Sequence, residues 1–309
     1  MRQILLATTA FLALAACTPS TSDKPVKPTP TSEVTKKVAS TETEKLNAWF
    51  DTKYEEELMM SPMSLTQLGR KERYSEMDDM SWEALRKLID WRKSTVEEMK
   101  ASFDYDKLDP EAKMSYDLWA LIADNAEKSW KWRFHGYNFE QMGGAQAWLP
   151  QFLISYHTVD NEADMTAYIS RVQETGRALG QLLDQTKASA EKGIRAPGFA
   201  YSGALKQAKA VIAGAPFSEG EDTSIWEDMK SEIATLKKDG KIDDARATEL
   251  ETAAKAALLD SFGPAYQNII TWLEGDIANT TPAHGASELP DGKAFYDYML
   301  ARSTTTDLT

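Results

Sequence analysis

Hydrophobic residues after about position 40 recur every three or four positions, which is the period of an amphipathic α-helix. The first such stripe is formed by Leu46, Trp49, Phe50 and Tyr54. Similar stripes follow to the end of the chain, with neither a fixed-period repeat nor the alternating strands and helices of βαβ units. The pattern therefore predicts an all-α fold, an irregular multi-helix array of about eight to eleven helices.

Three of the predicted helices begin at a residue that suits the N-cap position, where a side-chain oxygen accepts a hydrogen bond from a free backbone amide. These residues are Ser81, Asp109 and Asn161, and Pro110 adds a residue that favours the first helical turn. The helix that begins at Asn161 has the clearest apolar side, and we expect it to end near Gly193.

One stretch departs from the helical period. From Trp130 to His135, aromatic and basic side chains alternate at every position, which is the spacing that places two kinds of side chain on opposite faces of a strand. We therefore expect one short extended segment near residues 130–135 within the helical array.

Residues 1–16 have the features of a secretory signal peptide. A positive charge at Arg2 precedes an apolar run through Leu14, and that run is too short to span a bilayer. Together with Ala15, Ala16 and Cys17, the end of this run resembles a bacterial lipobox. The resemblance implies cleavage before Cys17 and acylation of that residue. An ordinary signal peptide followed by an incidental cysteine is the alternative.

Cys17 is the sole cysteine of the chain, and it falls at the one position that lipidation requires. Acyl chains on Cys17 would hold the protein stably at a membrane, since each buried methylene contributes about 0.8 kcal/mol. Thr18 follows in place of Asp, which by the usual sorting rule favours the outer membrane of a Gram-negative cell. We therefore expect a lipid-anchored protein of the cell envelope that faces the periplasm.

Pro, Ser and Thr dominate the residues that follow Cys17. Such a composition cannot bury a core and favours an extended chain. We therefore expect residues 17–40 to form a lipidated tether and residues 41–309 to form a helical domain.

The charge of the chain excludes one class of partner. Its 309 residues include 35 basic and 48 acidic side chains, which give a formal net charge of −13. Binding to nucleic acid requires a basic face that can neutralise phosphates. We therefore expect no nucleic acid partner.

The sequence offers little for metal or nucleophile chemistry. The histidines His135, His157 and His284 lie at least 22 positions apart, so no pair has the four-residue spacing of a helix-borne zinc site. One cysteine allows neither an internal disulfide nor a cysteine-rich zinc site. A Ser–His–Asp triad built from dispersed residues is a remaining alternative, although no G-x-S-x-G turn is present. We predict no catalytic residue, metal ligand or cofactor in this chain.

A set of aromatic residues around position 135 has two interpretations. These rings could line a groove for a sugar or a peptide, or they could pack in the core. The set consists of Trp130, Trp132, Phe134, Tyr137 and Phe139.

Several short stretches are weak signals singly but together form an ordered set. They are Ser61-Pro62 with Leu68-Gly69, Gly143-Gly144 through Leu149-Pro150, His157-Thr158-Val159 ahead of Ala167-Tyr168-Ile169 and Arg171, Gly193-Ile194 with Pro197, and Leu289-Pro290-Asp291-Gly292 through Tyr296 to Arg302-Ser303-Thr304-Thr305. In this order and spacing they resemble the bacterial domain of unknown function 885 family, many of whose members are lipoproteins. The resemblance spans about residues 43–309.

The resemblance carries expectations about activity. Complete members of that family are roughly twice as long as this chain and resemble zinc metallopeptidases of the helical, deep-cleft kind. Their His-Glu-x-x-His motif lies in the C-terminal half, and no residue of this chain matches it, so zinc is expected only in a full-length member. By resemblance, His157, Tyr296 and Tyr298 would help to line one wall of a substrate cleft. Helix packing is the other role open to the two tyrosines.

Two functional hypotheses follow. Because Ser303 to Thr309 resembles the approach to another helix, with Thr309 as a candidate N-cap, we expect this chain to be the N-terminal half of a longer protein. The first hypothesis is therefore the helical part of a lipid-anchored, metallopeptidase-like hydrolase, whose partners are the membrane, a peptide substrate and the C-terminal half. The alternative is a complete helical binding or scaffold lipoprotein without catalysis, which would hold a peptide, a glycan or a partner helix.

Overall fold

Helices make up the regular structure of the protein in the computed structural model, which describes residues 40–280 and 285–306. The predicted signal peptide, Cys17 and nearly all of the tether lie outside the described residues, as do His284 and Thr309. No helix in the described ranges is both long enough and apolar enough to cross a bilayer.

The prediction of an all-α fold is confirmed, because the described residues contain eleven α-helices and no strand. Four 3₁₀ turns and one π-helical segment, Leu258–Phe262, complete the regular structure. The α-helices are α1 Glu42–Leu58, α2 Pro62–Gln67, α3 Trp82–Ser102, α4 Pro110–Trp130, α5 Ala145–Tyr156, α6 Glu162–Glu191, α7 Gly198–Val211, α8 Ser224–Lys238, α9 Asp244–Ala257, α10 Gly263–Asp276 and α11 Gly292–Thr304.

The expectation of an extended segment near residues 130–135 is wrong. Helix α4 continues to Trp130, and Arg133–His135 form a 3₁₀ turn. The guanidinium carbon of Arg133 lies 4.5 Å from the ring centroid of Trp130 and 4.4 Å from that of Phe134. These cation–π contacts bring two aromatic residues, four positions apart in the chain, onto one basic side chain across a tight turn. The alternation therefore reflects packing around Arg133.

The helices begin where side-chain caps predict. Ser81 caps α3, Asp109 caps α4 and Asn161 caps α6, each by accepting a hydrogen bond from the amide three residues later, at 3.1, 2.8 and 3.1 Å. Helix α6 then runs for 30 residues and ends at Glu191, two positions before Gly193. Gly193 has a φ of 77°, a left-handed conformation that favours glycine and ends the helical path.

The long helix α6 is the central element of the main hydrophobic core. It packs against α5, α8, α9 and α10, and Phe262 at the start of α10 is fully buried in the same core. A smaller core lies between α1, α3 and the first turns of α4, where Leu46 and Met99 are fully buried. There the rings of Trp49 and Trp119 meet edge to face at 5.5 Å. The helices α1, α3 and α4 therefore form an edge with a core of its own.

Helix α6 passes very close to the π-helical segment at Gly176. A β-carbon at this position would lie 2.2 Å from Oγ of Ser261 and 3.0 Å from its carbonyl oxygen. The hydroxyl of Ser261 donates a 2.7 Å hydrogen bond to the carbonyl oxygen of Gln173, so the contact is fixed on both sides. Gly180, one turn further along α6, has no other atom within 4 Å of the corresponding position.

The same substitution at these two glycines should change stability in opposite directions. Gly176→Ala should lower the free energy of unfolding by about 1–3 kcal/mol, because the new methyl group overlaps Ser261. Gly180→Ala should raise it by about 0.5–1 kcal/mol, because alanine loses less backbone entropy than glycine in a helix. Urea denaturation of both variants measures this, and a shift of the same sign in both would contradict the close approach.

Candidate binding groove

An open groove lies between the last turn of α1, the start of α2, residues 78–81 and the first half of α3. Its volume is about 920 Å³, within the range of roughly 300–1,000 Å³ that is usual for ligand pockets. Its apolar lining is well exposed at the rim, where Tyr54 is 52% and Leu85 is 38% exposed. The apolar lining residues are Tyr54, Leu58, Met60, Met80, Leu85 and Leu88.

The polar side chains of the groove are largely engaged with one another and with the backbone. Glu57 on α1 pairs with Arg92 on α3 across the groove. The carboxylate of Asp78 accepts hydrogen bonds from the hydroxyl of Ser61 at 2.7 Å and from the amide of Met63 at 2.9 Å. These groups hold the walls in place, so the surface offered to a ligand is mainly apolar.

Asp79 is held in its charged form at the same edge of the groove. Burial acts to raise the pKa of this carboxyl group, but hydrogen bonds from Ser81 and from the side chain of Gln181 outweigh it and lower the pKa. The amide of Ser81 lies 2.9 Å and the Gln181 amide nitrogen 2.8 Å from the Asp79 carboxylate. The carboxylate therefore ties the groove to α6 and is not poised to exchange a proton near neutral pH.

A buried arginine beneath the groove fixes α2 and the loop that follows it. Arg171 on α6 is fully buried. Its Nε donates to the carbonyl oxygen of Glu76 at 3.0 Å, and one Nη donates to the hydroxyl of Thr66 at 2.6 Å and to the carbonyl oxygen of Pro62 at 3.3 Å. The other Nη lies 3.1 Å from Nδ1 of His157. None of these hydrogen bonds goes to a carboxylate, so the charge is spread over neutral acceptors.

Aromatic rings supply further stabilisation for this cation. The guanidinium carbon of Arg171 lies 4.7 Å from the ring centroid of Tyr74 and 5.7 Å from that of Phe152. Burial lowers the pKa of Arg171 to about 10, because the charged form loses its hydration. Arg171 is still a cation at neutral pH, and its donors stay available to hold the groove wall.

His157 is the acceptor that completes the arrangement. Because arginine can only donate, Nδ1 of His157 must carry its lone pair toward Arg171, and Nε2–H donates to the carbonyl oxygen of Asp164 at 2.9 Å. The imidazole ring stacks between Tyr74 and Tyr168, at centroid distances of 4.0 and 4.8 Å. Burial lowers the pKa of His157 to about 4, so the ring is neutral near pH 7.

The structure places the predicted site residues in two different parts of the fold. His157 is buried under α2, behind the groove, with both ring nitrogens engaged. Tyr296 and Tyr298 lie on α11, where Tyr296 is 55% exposed and the ring of Tyr298 stacks on Trp132 at 5.9 Å. Their contacts do not include His157. Cys17 lies outside the described residues.

The aromatic set around position 135 is divided among several environments. Phe139 is fully buried in the main core, and Trp132 is buried beneath α11. Trp130 and Phe134 hold Arg133, while Tyr137 is exposed. These residues therefore pack in separate places and do not line the groove between α1 and α3.

The described histidines do not come together as metal ligands. His135 is buried next to Pro290, whose carbonyl oxygen lies 2.9 Å from its Nε2. Across residues 40–280 and 285–306, no group of three or more His, Cys, Asp or Glu side chains is arranged to hold a metal ion.

The role of Arg171 was missed by sequence reasoning, although a signal for it was present. Position 171 falls on the apolar side of α6, between the fully buried Tyr168 and Val172 and one turn before Thr175. A charged residue at such a position is buried only if its donors find partners. The groove itself could not have been found, because its walls are 20 to 40 positions apart in the chain.

Comparison with known proteins gives a family and a fold. The sequence model of a family described as bacterial protein of unknown function (DUF885) matches residues 62–309. No curated protein matches the chain. A crystal structure of "the putative lipoprotein from Colwellia psychrerythraea" is similar, with a TM-score of 0.73 and 16% sequence identity. The match covers 87% of this chain and 47% of that chain. This chain therefore spans about half the length of the solved structure, and the likeness shows the fold alone.

The neutral state of His157 should make stability depend on pH in a defined window. The pKa is about 4 in the folded protein and 6.5 for an unperturbed histidine. Between these values the unfolded chain binds a proton that the folded protein does not. The free energy of unfolding should therefore fall as pH is lowered from about 6.5 toward 4, by up to about 1.4 kcal/mol per pH unit from this residue.

The variant His157→Gln should lose that contribution and keep an acceptor for Arg171. The measurement is urea denaturation of both proteins at several pH values between 5 and 7, where the difference in slope isolates the histidine from the carboxylates. The matched variant His135→Gln controls for removal of an imidazole elsewhere. Identical slopes for wild type and His157→Gln would show that His157 is not held neutral.

Proposed function

This chain belongs to the DUF885 family of bacterial proteins of unknown function, and from that membership we propose that it is the N-terminal helical part of a lipid-anchored, metallopeptidase-like hydrolase. The zinc motif of such an enzyme would lie in its C-terminal half, beyond Thr309. The metallopeptidase character comes from the family resemblance, and the residues of this chain would supply the scaffold and the substrate groove.

The observation that carries the proposal is the match to about half of a longer helical chain. The alignment covers 87% of this chain and only 47% of the similar structure. Within this half, the lining of the groove between α1 and α3 is mainly apolar; Glu57 pairs with Arg92, and Asp78 and Asp79 accept hydrogen bonds from neutral groups. Such a division, with binding surface in one half and reactive groups in another, is common where sites form between parts of a protein.

The groove suits an extended peptide with apolar side chains. Its rim exposes Tyr54 and Leu85, and its floor carries Leu58 and Leu88. Paired charges at Glu57 and Arg92 present both signs to a polar backbone. In the proposed enzyme His157 is a positioning residue behind this wall. The exposed Tyr296 would face the part of the cleft nearer to the second half, and Tyr298, packed on Trp132, would support that part from below.

We further propose that the protein is held at the cell envelope by acylation of Cys17, at the outer membrane and facing the periplasm. The sequence Leu14-Ala15-Ala16-Cys17 supports this anchor, and Thr18 supports outer-membrane sorting. The description of the similar structure as a lipoprotein agrees with it. The tether from Cys17 to residue 40 would keep the helical domain clear of the bilayer.

A second candidate function is a binding or scaffold lipoprotein without catalysis. The groove favours it directly, because an apolar cavity of about 920 Å³ needs no metal to hold a peptide or a partner helix. Under this alternative the described domain would be sufficient for its function.

The two candidates are separated by the source gene and its product. The hydrolase proposal expects an open reading frame past codon 309 that encodes His-Glu-x-x-His. The purified full-length product should contain about one zinc ion per chain and cleave peptides, and Gln in place of the motif Glu should abolish cleavage. A stop codon directly after Thr309, or a full-length product without zinc, would contradict the proposal and favour the binding protein.

A groove variant tests which part of the full-length product binds substrate. Leu85→Asp should raise KM for apolar peptides severalfold with little change in kcat, since it alters binding remote from the reacting bond. Met142→Asp makes a matched change at a side chain that is 89% exposed and does not line the groove, and it should leave both constants unchanged. An unchanged KM in Leu85→Asp would remove the groove from the substrate site.

The lipid anchor has its own test. Cys17→Ser should abolish incorporation of labelled palmitate and release the protein from the membrane fraction, because no thiol remains to carry the diacylglycerol. Thr18→Asp should stay acylated but move to the inner membrane, which separates sorting from attachment. Palmitate labelling of Cys17→Ser, or processing of wild type at an ordinary signal peptidase site, would show that Cys17 is not the anchor.

A further inference from the structure

Helix α4 presents a stripe of large apolar side chains to solvent. Met114, Leu118, Leu121 and Ile122 are 65%, 50%, 45% and 52% exposed. Their spacing of four, seven and eight positions from Met114 places them on one side of the helix. We call these four residues the α4 stripe. Single exposed apolar residues are ordinary, but a continuous row of four on one helix marks an interaction surface.

The opposite side of α4 is firmly packed, so the stripe is a fixed surface. Ala112 and Ala123 are buried, and the indole Nε1 of Trp119 donates a 3.0 Å hydrogen bond to the hydroxyl of Thr95 on α3. The cap at Asp109 fixes the first turn of the helix. Rotation of α4 about its own axis would expose these groups, so it cannot bury the stripe within this domain.

We propose that the α4 stripe is the docking face for the polypeptide that follows position 309 in the full-length protein. This inference rests on the proposed function, which places a second half of the protein after this chain. The inference adds to the proposed function the surface of this chain against which the second half packs. The spacing of the stripe is that of a helix–helix contact, so the occupant should be an α-helix of the second half.

The path of the chain supports this occupant. After α4 ends, Trp132 packs against α11, with ring centroids 5.5 Å from Phe295 and 5.9 Å from Tyr298. The chain leaves α11 at Thr304, six residues or about 9 Å along the helix axis from Tyr298. A segment that continues from α11 therefore starts about 9 Å along the helix axis from a residue that packs against Trp132, which lies two positions after the end of α4.

Helix α11 itself has apolar side chains on more than one face. Phe295 and Tyr298 pack inward, while Tyr296 and Met299 are 55% and 38% exposed. Gly292 is the one buried residue that the helix contributes. The hydroxyl of Tyr298 is buried with no hydrogen-bond partner among the described residues. Because native proteins pair nearly all such groups, this corner of the fold has the character of an interior surface.

The charges near the stripe favour a protein occupant over a membrane. Asp117 and Asp124 follow one edge of the stripe together with Lys113 and Lys128, and Lys128 pairs with Asp124 at 2.6 Å. The chain as a whole carries a net charge of −13. Helices that lie on anionic bilayers carry an excess of Lys and Arg beside their apolar face, whereas the charges beside the stripe are balanced.

The test measures binding of the polypeptide encoded after codon 309 to this chain supplied separately. Wild type, Leu118→Glu/Ile122→Glu and Leu118→Lys/Ile122→Lys are compared by copurification and by titration. Both double variants should weaken binding roughly tenfold or more, since a buried apolar contact is lost whichever charge is introduced. Met142→Glu is the matched control and should bind as wild type. Thermal melting checks that the variants fold, as expected for exposed positions.

Each other outcome overturns the inference in a distinguishable way. Unchanged binding in both double variants places the contact elsewhere, while zinc and peptidase activity of the full-length product can still support the proposed function. Dimers of the wild-type chain that dissociate in the variants would make a second copy the occupant. The Cys17→Ser chain, which lacks the lipid anchor, is also tested for flotation with phosphatidylethanolamine and phosphatidylglycerol vesicles. If it floats and the double variants in the same background do not, the membrane is the occupant of the stripe. A stop after codon 309 would remove both proposals together.

Discussion

The structure around the groove depends on one buried positive charge, the guanidinium of Arg171. Removing such a group from water costs several kcal/mol unless its donors are paired. Here the donors are paired with backbone carbonyl oxygens of α2 and of the loop after it, with a hydroxyl and with an imidazole. Helix α2 is only six residues long, too short to be stable alone. The hydrogen bonds to Arg171 therefore fix α2 and the loop after it in place against α6. They also fix the part of the groove wall that Ser61 and Asp78 form.

Burial and the same charge together determine the state of His157. A guanidinium in contact with Nδ1 is compatible only with a lone pair there, and burial of the ring outweighs the nearby Asp164 carboxylate, which acts to raise the pKa of His157. A histidine that titrates well below neutral pH and has both nitrogens engaged is unsuited to shuttle protons at pH 7. His157 can therefore affect a reaction only by fixing the position of the groove wall. This agrees with a domain that shapes a site whose reactive groups come from elsewhere.

Sequence patterns predicted the helices well and the functional surfaces poorly, for a physical reason. The caps at Ser81, Asp109 and Asn161 are local hydrogen bonds within four residues, so they can be predicted from adjacent residues. The turn at Arg133–His135 was mistaken for a strand because aromatic and basic residues alternate in the sequence, although in the structure Arg133 packs on Trp130 and Phe134, four positions apart, across a turn. The groove and the network of Arg171 join residues up to 109 positions apart. No local pattern encodes such contacts, although a cation on the apolar face of α6 marks one end of them.

The distribution of exposed apolar surface connects the groove with the rest of the molecule. The core around α6 is closed, with its largest side chains almost fully buried. The edge formed by α1, α3 and α4 has only a small core of its own, and it carries both the groove rim, with Tyr54 and Leu85, and the α4 stripe. Exposed apolar surfaces of this size are typical of sites that contact a ligand or another polypeptide. Both surfaces lie on the edge formed by α1, α3 and α4, and the network of Arg171 on α6 holds the groove wall at that edge in place.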